Sequence, residues 1–145
     1  MSRVKGLLDA VAQIINDAGF DVTFTAAGSV LLEPYDQSQT DDLRVSVVPM
    51  QADASEFQRL GRSDFLQPVE AAVIVEQRVG TDGDRVDALI DLEERIAAHL
   101  LKSPPSGYRT PTVSLYPVDL TALSEAGQFA GYVHARYPSN TPAQT

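Results

Sequence analysis

Val69-Glu-Ala-Ala-Val-Ile-Val-Glu-Gln-Arg-Val79 sets Val69, Ala71, Val73 and Val75 on one side of the chain and Glu70, Ala72, Ile74 and Glu76 on the other. Side chains along a strand point to opposite faces in turn, so this segment is expected to be a strand with one apolar face and one mixed face. Ile74 between two glutamates suggests that the mixed face is partly covered. Upstream, Leu43, Val45 and Val47 alternate with Arg44 and Ser46 up to Pro49, which is the pattern of a half-buried strand. Downstream, Thr112 to Val118 and Gln128 to Tyr137 are the last two strands. In the final one Phe129, Gly131, Val133, Ala135 and Tyr137 alternate with Gln128, Ala130, Tyr132, His134 and Arg136. Asp21 to Thr25 and Ser29 to Tyr35 are expected as two short strands around a turn, with Pro34 marking an edge or a strand end.

Two helices frame these strands. Val4, Leu7, Leu8, Val11, Ile14, Ile15 and Ala18 recur at spacings of three and four, giving one apolar stripe that Gly19 stops. Thr81-Asp82-Gly83-Asp84 opens the second helix, with Thr81 or Asp82 as N-cap and acids where the helix dipole favours them. Val86, Leu89, Ile90, Ile96, Ala97, Leu100 and Leu101 form its stripe, and Pro104-Pro105 ends it. The order predicts an α+β fold, a largely antiparallel sheet of about five to six strands with two helices packed on one face. Residues 1–138 read as a single domain and 139–145 as a flexible C-terminal tail.

Composition narrows the function classes. The 145 residues suffice for one compact core, and an apolar content of 43% excludes a disordered class. Twenty acidic against 11 basic residues give a net charge of −9, spread along the chain. Affinity for phosphates needs clustered Lys and Arg. Here Lys5 and Lys102 are the only lysines and the arginines are scattered, so tight nucleic-acid binding is not expected. No cysteine is present, which excludes a disulfide or a thiolate metal site. Charged and polar residues interrupt the first apolar stretch, which is expected to be neither a signal sequence nor a membrane span.

No group of residues forms a convincing catalytic or metal site, so no catalytic residue and no cofactor is expected. Asp82, Asp84 and Asp87, with Glu93 in the twelfth position, superficially suggest a calcium loop, but the intervening ligand positions are not supplied. A capped helix start explains them better. His99 and His134 stand far apart, neither beside a nucleophile in sequence. His99 suits a helix C-terminus, and His134 is expected to face solvent or a neighbouring subunit.

Gln51 to Gln67 forms a long polar connection without a clean period, and connections of that length are uncommon unless functional or disordered. Arg59 and Arg62, flanked by Phe57 and Phe65, make it either a docking segment or a cover for the sheet edge. Tyr132, His134 and Arg136 form either an intersubunit contact or a solvated strand face. Asp36, Asp41 and Asp42, before the third strand, lie in an acidic turn.

In order along the chain, the helix Val4 to Ala18, the segment Val45-Ser-Val-Val-Pro49, the arginine-containing loop, the strand Val69 to Val79, the helix Val86 to Leu101 and Gly127-Gln-Phe129 leading to Tyr137 resemble the tail terminator and tail completion proteins of tailed bacteriophages. The resemblance spans nearly the whole chain. It implies a virion structural protein and no enzyme: a ring, commonly a hexamer, that caps the tail tube and joins it to the head-side connector at the tail–neck junction, after synthesis in the host cytoplasm. It implies the chain itself, the tube protein and the connector or neck protein as partners, with DNA passing through the channel without specific binding and no membrane involved. Phe57, Arg59, Arg62, Phe65, Tyr132, His134 and Arg136 would then be interface residues, and Asp36, Asp41 and Asp42 candidates to face the channel. A neck or head-completion protein is the alternative within the class. A small-molecule-binding or enzymatic α+β domain is the alternative outside it.

Overall fold

The structure, a computed structural model, describes residues 3–30, 42–50, 58–60, 64–66 and 69–138, with 58–60 and 64–66 as strands only. Helix α1 (Arg3–Asp17) is followed by β1 (Ala27–Gly28), β2 (Arg44–Pro49), β3 (Gln58–Leu60), β4 (Asp64–Leu66) and β5 (Val69–Arg78). Helix α2 (Gly83–Lys102), β6 (Thr112–Tyr116), α3 (Leu120–Ala126) and β7 (Gln128–Tyr137) complete the order. The main sheet runs β1-β2-β5-β7-β6, and β3 and β4 form a separate antiparallel pair. The α+β class is as expected, while the sheet is mixed because β1 lies parallel to β2.

That parallel entry corrects the expected strand from Asp21 to Thr25, which is irregular. Two interactions with helices displace cross-strand pairing there. The Asn16 side chain accepts from Ala26 N at 2.8 Å and donates to Ala26 O at 3.0 Å, so a helix residue takes the place of a neighbouring strand. Phe20 stacks on Phe24 at 6.4 Å, meets the His99 ring edge-on at 5.9 Å and lies 5.7 Å beneath the Arg95 guanidinium. Asn16→Ala is therefore expected to cost about 1–2 kcal/mol, the worth of two hydrogen bonds. Urea denaturation of the variant against wild type measures it. The expected strand from Ser29 to Tyr35 falls mostly on residues 31–41, outside the described residues.

Lys5 Nζ donates to Asp9 Oδ1 at 2.7 Å and to Gly28 O at 2.9 Å, tying α1 to β1. The contact is close: a Cβ at Gly28 would stand 2.8 Å from Asp9 Oδ1 and 2.9 Å from the Leu8 carbonyl carbon. At the other end of the chain's first turn, Gly19 stops α1 with φ of 72°.

Asp82 caps α2 by accepting from Arg85 N, and Arg85 Nε donates to Gln77 Oε1 at 2.7 Å, fixing the turn out of β5. A cap is worth about 1 kcal/mol. Burying Leu89, Leu92, Ile96 and Leu100, each at most 1% exposed, is worth about 1.5–3 kcal/mol apiece, so packing rather than capping holds this helix.

Helices α1 and α2 share one face of the sheet, with α1 over β1, β2 and β5 and α2 over β6 and β7. Their stripes meet Val45, Val47, Val73, Val75, Phe129 and Val133 in one core. A third helix, α3, occupies part of the expected connection from Asp119 to Gly127. Asp119 caps it by accepting from Thr121 N and Ala122 N, and Gly127 ends it at φ of 61°. None of its residues is buried.

Candidate functional site

The face of the sheet turned away from α1 and α2 gathers the polar and aromatic residues, and strand register sets their neighbours. Arg44 pairs across β2 and β5 with Glu76, and Ser46 with Ile74. Glu70 lies opposite Arg136, Ala72 opposite His134 and Ile74 opposite Tyr132. On the edge strand β6, Thr112, Ser114 and Tyr116 lie opposite Arg136, His134 and Tyr132. Tyr132, His134 and Arg136 thus line one side of β7, each partly buried.

Tyr116 and Tyr132 stack with ring centroids 5.2 Å apart and planes inclined by 10°. Aromatic cross-strand pairs stabilise a sheet by about 0.2–1 kcal/mol. Here the outer ring, Tyr116, stays 50% exposed, and Leu120 at the start of α3 is 70% exposed. The β6 edge therefore presents apolar area beyond what the pair itself needs.

His134 Nε2 lies 2.7 Å from Glu70 Oε1, a diagonal contact across β7 and β5. The histidine expected to face solvent or a neighbouring subunit is thus engaged within its own sheet. Arg44 Nε is 3.7 Å from Glu76 Oε1, beyond hydrogen-bond reach. Burial raises the Glu76 carboxyl above the usual range, and the Arg44 charge opposes that shift.

Register also brings Ser114, His134 and Glu70 into a series across three strands, which sequence separation hid. Nucleophilic catalysis needs the hydroxyl within hydrogen-bond reach of the imidazole and donors aimed at an oxyanion. No hydrogen bond links Ser114 to His134 among the described residues, and Ser114 is exposed on an edge strand.

Among the other sequence-derived candidates, Asp42 is exposed, while Asp36, Asp41, Phe57 and Arg62 lie outside the described residues. Arg59 falls in β3 and Phe65 in β4, paired in register within what reads in sequence as an irregular loop. Asp82 caps α2, and Glu93 points into the core at 0% exposure, so the two cannot share a calcium loop.

Glu93 is the residue that sequence reasoning undervalued. Leu89, Glu93, Ile96 and Leu100 follow spacings of four, three and four, which places the glutamate in the buried stripe of α2. Neither carboxylate oxygen has a hydrogen-bond partner among the described residues. Burial, with the Glu94 carboxylate adding to it, pushes its pKa up to about 8. Opposite it on β7 is Gly131, where a Cβ would overlap both Glu93 Oε2 and the Pro117 carbonyl oxygen.

A scan against protein-family models finds no match, and a search of curated proteins finds no relative.

Proposed function

We propose that this chain is a virion assembly protein, a tail terminator that closes into a ring on the tail tube and meets the head-side connector. The observation that best supports this reading is the edge of the sheet face turned away from α1 and α2, where Tyr116 stacks on Tyr132 while remaining 50% exposed, with Leu120 70% exposed four residues on at the start of α3. Aromatics at a well-packed contact are the residue types that dominate association energies. A cyclic ring joins two different patches of each subunit. In this reading the β6 edge is one patch, and the paired strands β3 and β4, with Arg59 and Phe65, belong to the other.

The charge balance suits a channel. A ring of chains each carrying −9 repels phosphates and lets DNA pass without holding it. Asp42, with Asp36 and Asp41, is proposed for that wall. A neck protein assembled on the portal side would use the same surfaces with different neighbours.

Light scattering on the purified chain, alone and mixed with tail tubes, tests the reading. A hexamer-sized mass, or a monomer that forms rings on tube ends in negative stain, is the expected result. A monomer indifferent to tubes would overturn it in favour of a neck protein or a role outside the virion. Tyr116→Ala is expected to weaken ring contact by about 2 kcal/mol, roughly 30-fold in the dissociation constant, as an aromatic anchor does. Its monomer should melt within a few degrees of wild type, because only the exposed partner of one stacked pair is lost. An unchanged ring equilibrium would remove β6 from the interface.

A further inference from the structure

Where Gly131 lacks a side chain, two oxygen atoms adjoin the same vacant Cβ position: Oε2 of Glu93, from α2, and the carbonyl oxygen of Pro117, from the turn between β6 and α3. A carboxylate and a carbonyl are both acceptors, and neither has a proton to offer the other. Buried polar groups are nearly always paired, and a buried carboxylate without a donor costs more than its protonation. A proton on Glu93 resolves the conflict by turning one acceptor into a donor.

We propose that Glu93 is a latch: as a neutral acid it donates its O–H to the Pro117 carbonyl, holding the β6–α3 corner onto α2, and its ionisation releases that corner. The segment it would release is held otherwise at its edges, by packing of α3 on β7 and by the Val79 and Gly80 amides donating to Gly127 O. Val118 packs against the core, Asp119 N donates to Ala130 O at 2.7 Å, and α3 buries none of its residues. The same corner displays Tyr116 and Leu120, so the latch governs how steadily that apolar edge is presented.

The surrounding charges leave Glu93 to act alone. On α2, Arg85 is turned to Gln77, Arg95 to Asp21 and Asp91, and Glu94 repels the ionised form. The core face of β7 offers Tyr137 as its titratable group, with a hydroxyl raised to about 12, and the core face of β6 offers Val113 and Leu115. On α1, Lys5 and Asp9 pair beside β1. Near the corner, Asp119 caps α3 and Glu125 is exposed.

Hydrogen exchange on the full chain tests the latch, with protection corrected for intrinsic rates and each amide compared with the same amide of Glu93→Gln. The corner should exchange faster than the Val73 amide in β5, because it opens without global unfolding, and exchange only at the Val73 rate would overturn the proposal. Between pH 6.5 and 9.5, the Asp119 and Leu123 amides of wild type are expected to lose about 30-fold in protection relative to the same amides of Glu93→Gln. That is the ratio for a group released from a site of pKa about 8 to an ordinary carboxylate environment. Glu93→Gln, whose amide still donates to Pro117, should keep its protection across the range. Equal losses in wild type and Glu93→Gln would overturn the proposal, as would a corner equally protected at both pH values. Should the variant fail to fold, carbon-13 titration of the Glu93 carboxyl in wild type decides. A midpoint near 8 with a matching shift at the Pro117 carbonyl supports the latch, and a midpoint below about 5 refutes it.

Discussion

Glu93→Gln is expected to become more stable than wild type as pH rises, with the gap opening between about pH 4.5 and pH 8. The folded carboxyl is raised from 4.5 to about 8 by burial in the α2 stripe. Between those values the folded chain holds a proton that the unfolded chain gives up. Wild-type stability is therefore fully present below about pH 4.5, declines as pH rises through the folded pKa near 8, and then levels. Each pH unit in that window is worth about 1.4 kcal/mol, so the full excursion approaches 5 kcal/mol. A neutral amide of nearly the same shape has no such term. At pH 5 the two proteins should agree within about 1 kcal/mol, whereas at pH 9 the variant should be about 3–5 kcal/mol more stable, a rise in Tm of about 10 °C. Denaturant melts at pH 5, 7 and 9 measure this. A gap that stays constant across pH would show that Glu93 titrates alike in the folded and unfolded chains. The melts report burial of the charge, whereas exchange at the β6–α3 corner reports whether Pro117 receives the proton.

The long elements were legible because a single period ran through each of them. β7 alternates over its whole length and β5 does so except at Ala72, buried on the opposite face, and both are central strands, so burial on one face wrote most of their pattern directly into the sequence. The stripes of α1 and α2 were equally plain. Asp21 to Thr25 was misread because Val22 and Phe24 alternate as a strand does, while Phe24 packs on Phe20 and Asn16 satisfies the Ala26 backbone. Local alternation does not say whether an apolar residue meets a strand or a helix. The seven-residue helix α3 is too short for an apolar stripe and has no fully buried residue, so its Asp119 cap and Gly127 stop are its clearest marks.

The candidate site was legible strand by strand and invisible across strands. Alternation in β7 set Tyr132, His134 and Arg136 on one side, but sequence could not reveal that Tyr116 would stack on Tyr132 or that Glu70 would reach His134. Those contacts depend on register between β5, β6 and β7, which the alternation of one strand does not determine. Glu93 was open to notice from its spacing with Leu89, Ile96 and Leu100. Its meaning came only with Gly131 across the core, because a buried acid needs room as much as it needs a proton.

That need for room leads to the second large effect. Gly131→Ala is expected to destabilise the chain by about 3 kcal/mol and lower Tm by about 10 °C. Glycine in a strand interior ordinarily costs stability, and alanine there would recover about 0.5–1 kcal/mol in the absence of a clash. At Gly131 the new Cβ would overlap Glu93 Oε2 and the Pro117 carbonyl together, one a side chain inside a closed core and the other backbone. Strand β7 cannot retreat, since β5 and β6 bond to its two edges. Removing one of the overlapping partners should relieve part of the strain, so Gly131→Ala should cost about 1–2 kcal/mol less in a Glu93→Ala background than in wild type. Denaturant melts of the four proteins in this cycle at pH 6, where the Glu93 carboxyl is still protonated, isolate the steric coupling from the charge. Strict additivity would mean that Glu93 does not occupy the space beside Gly131, and the latch would lose its geometric basis.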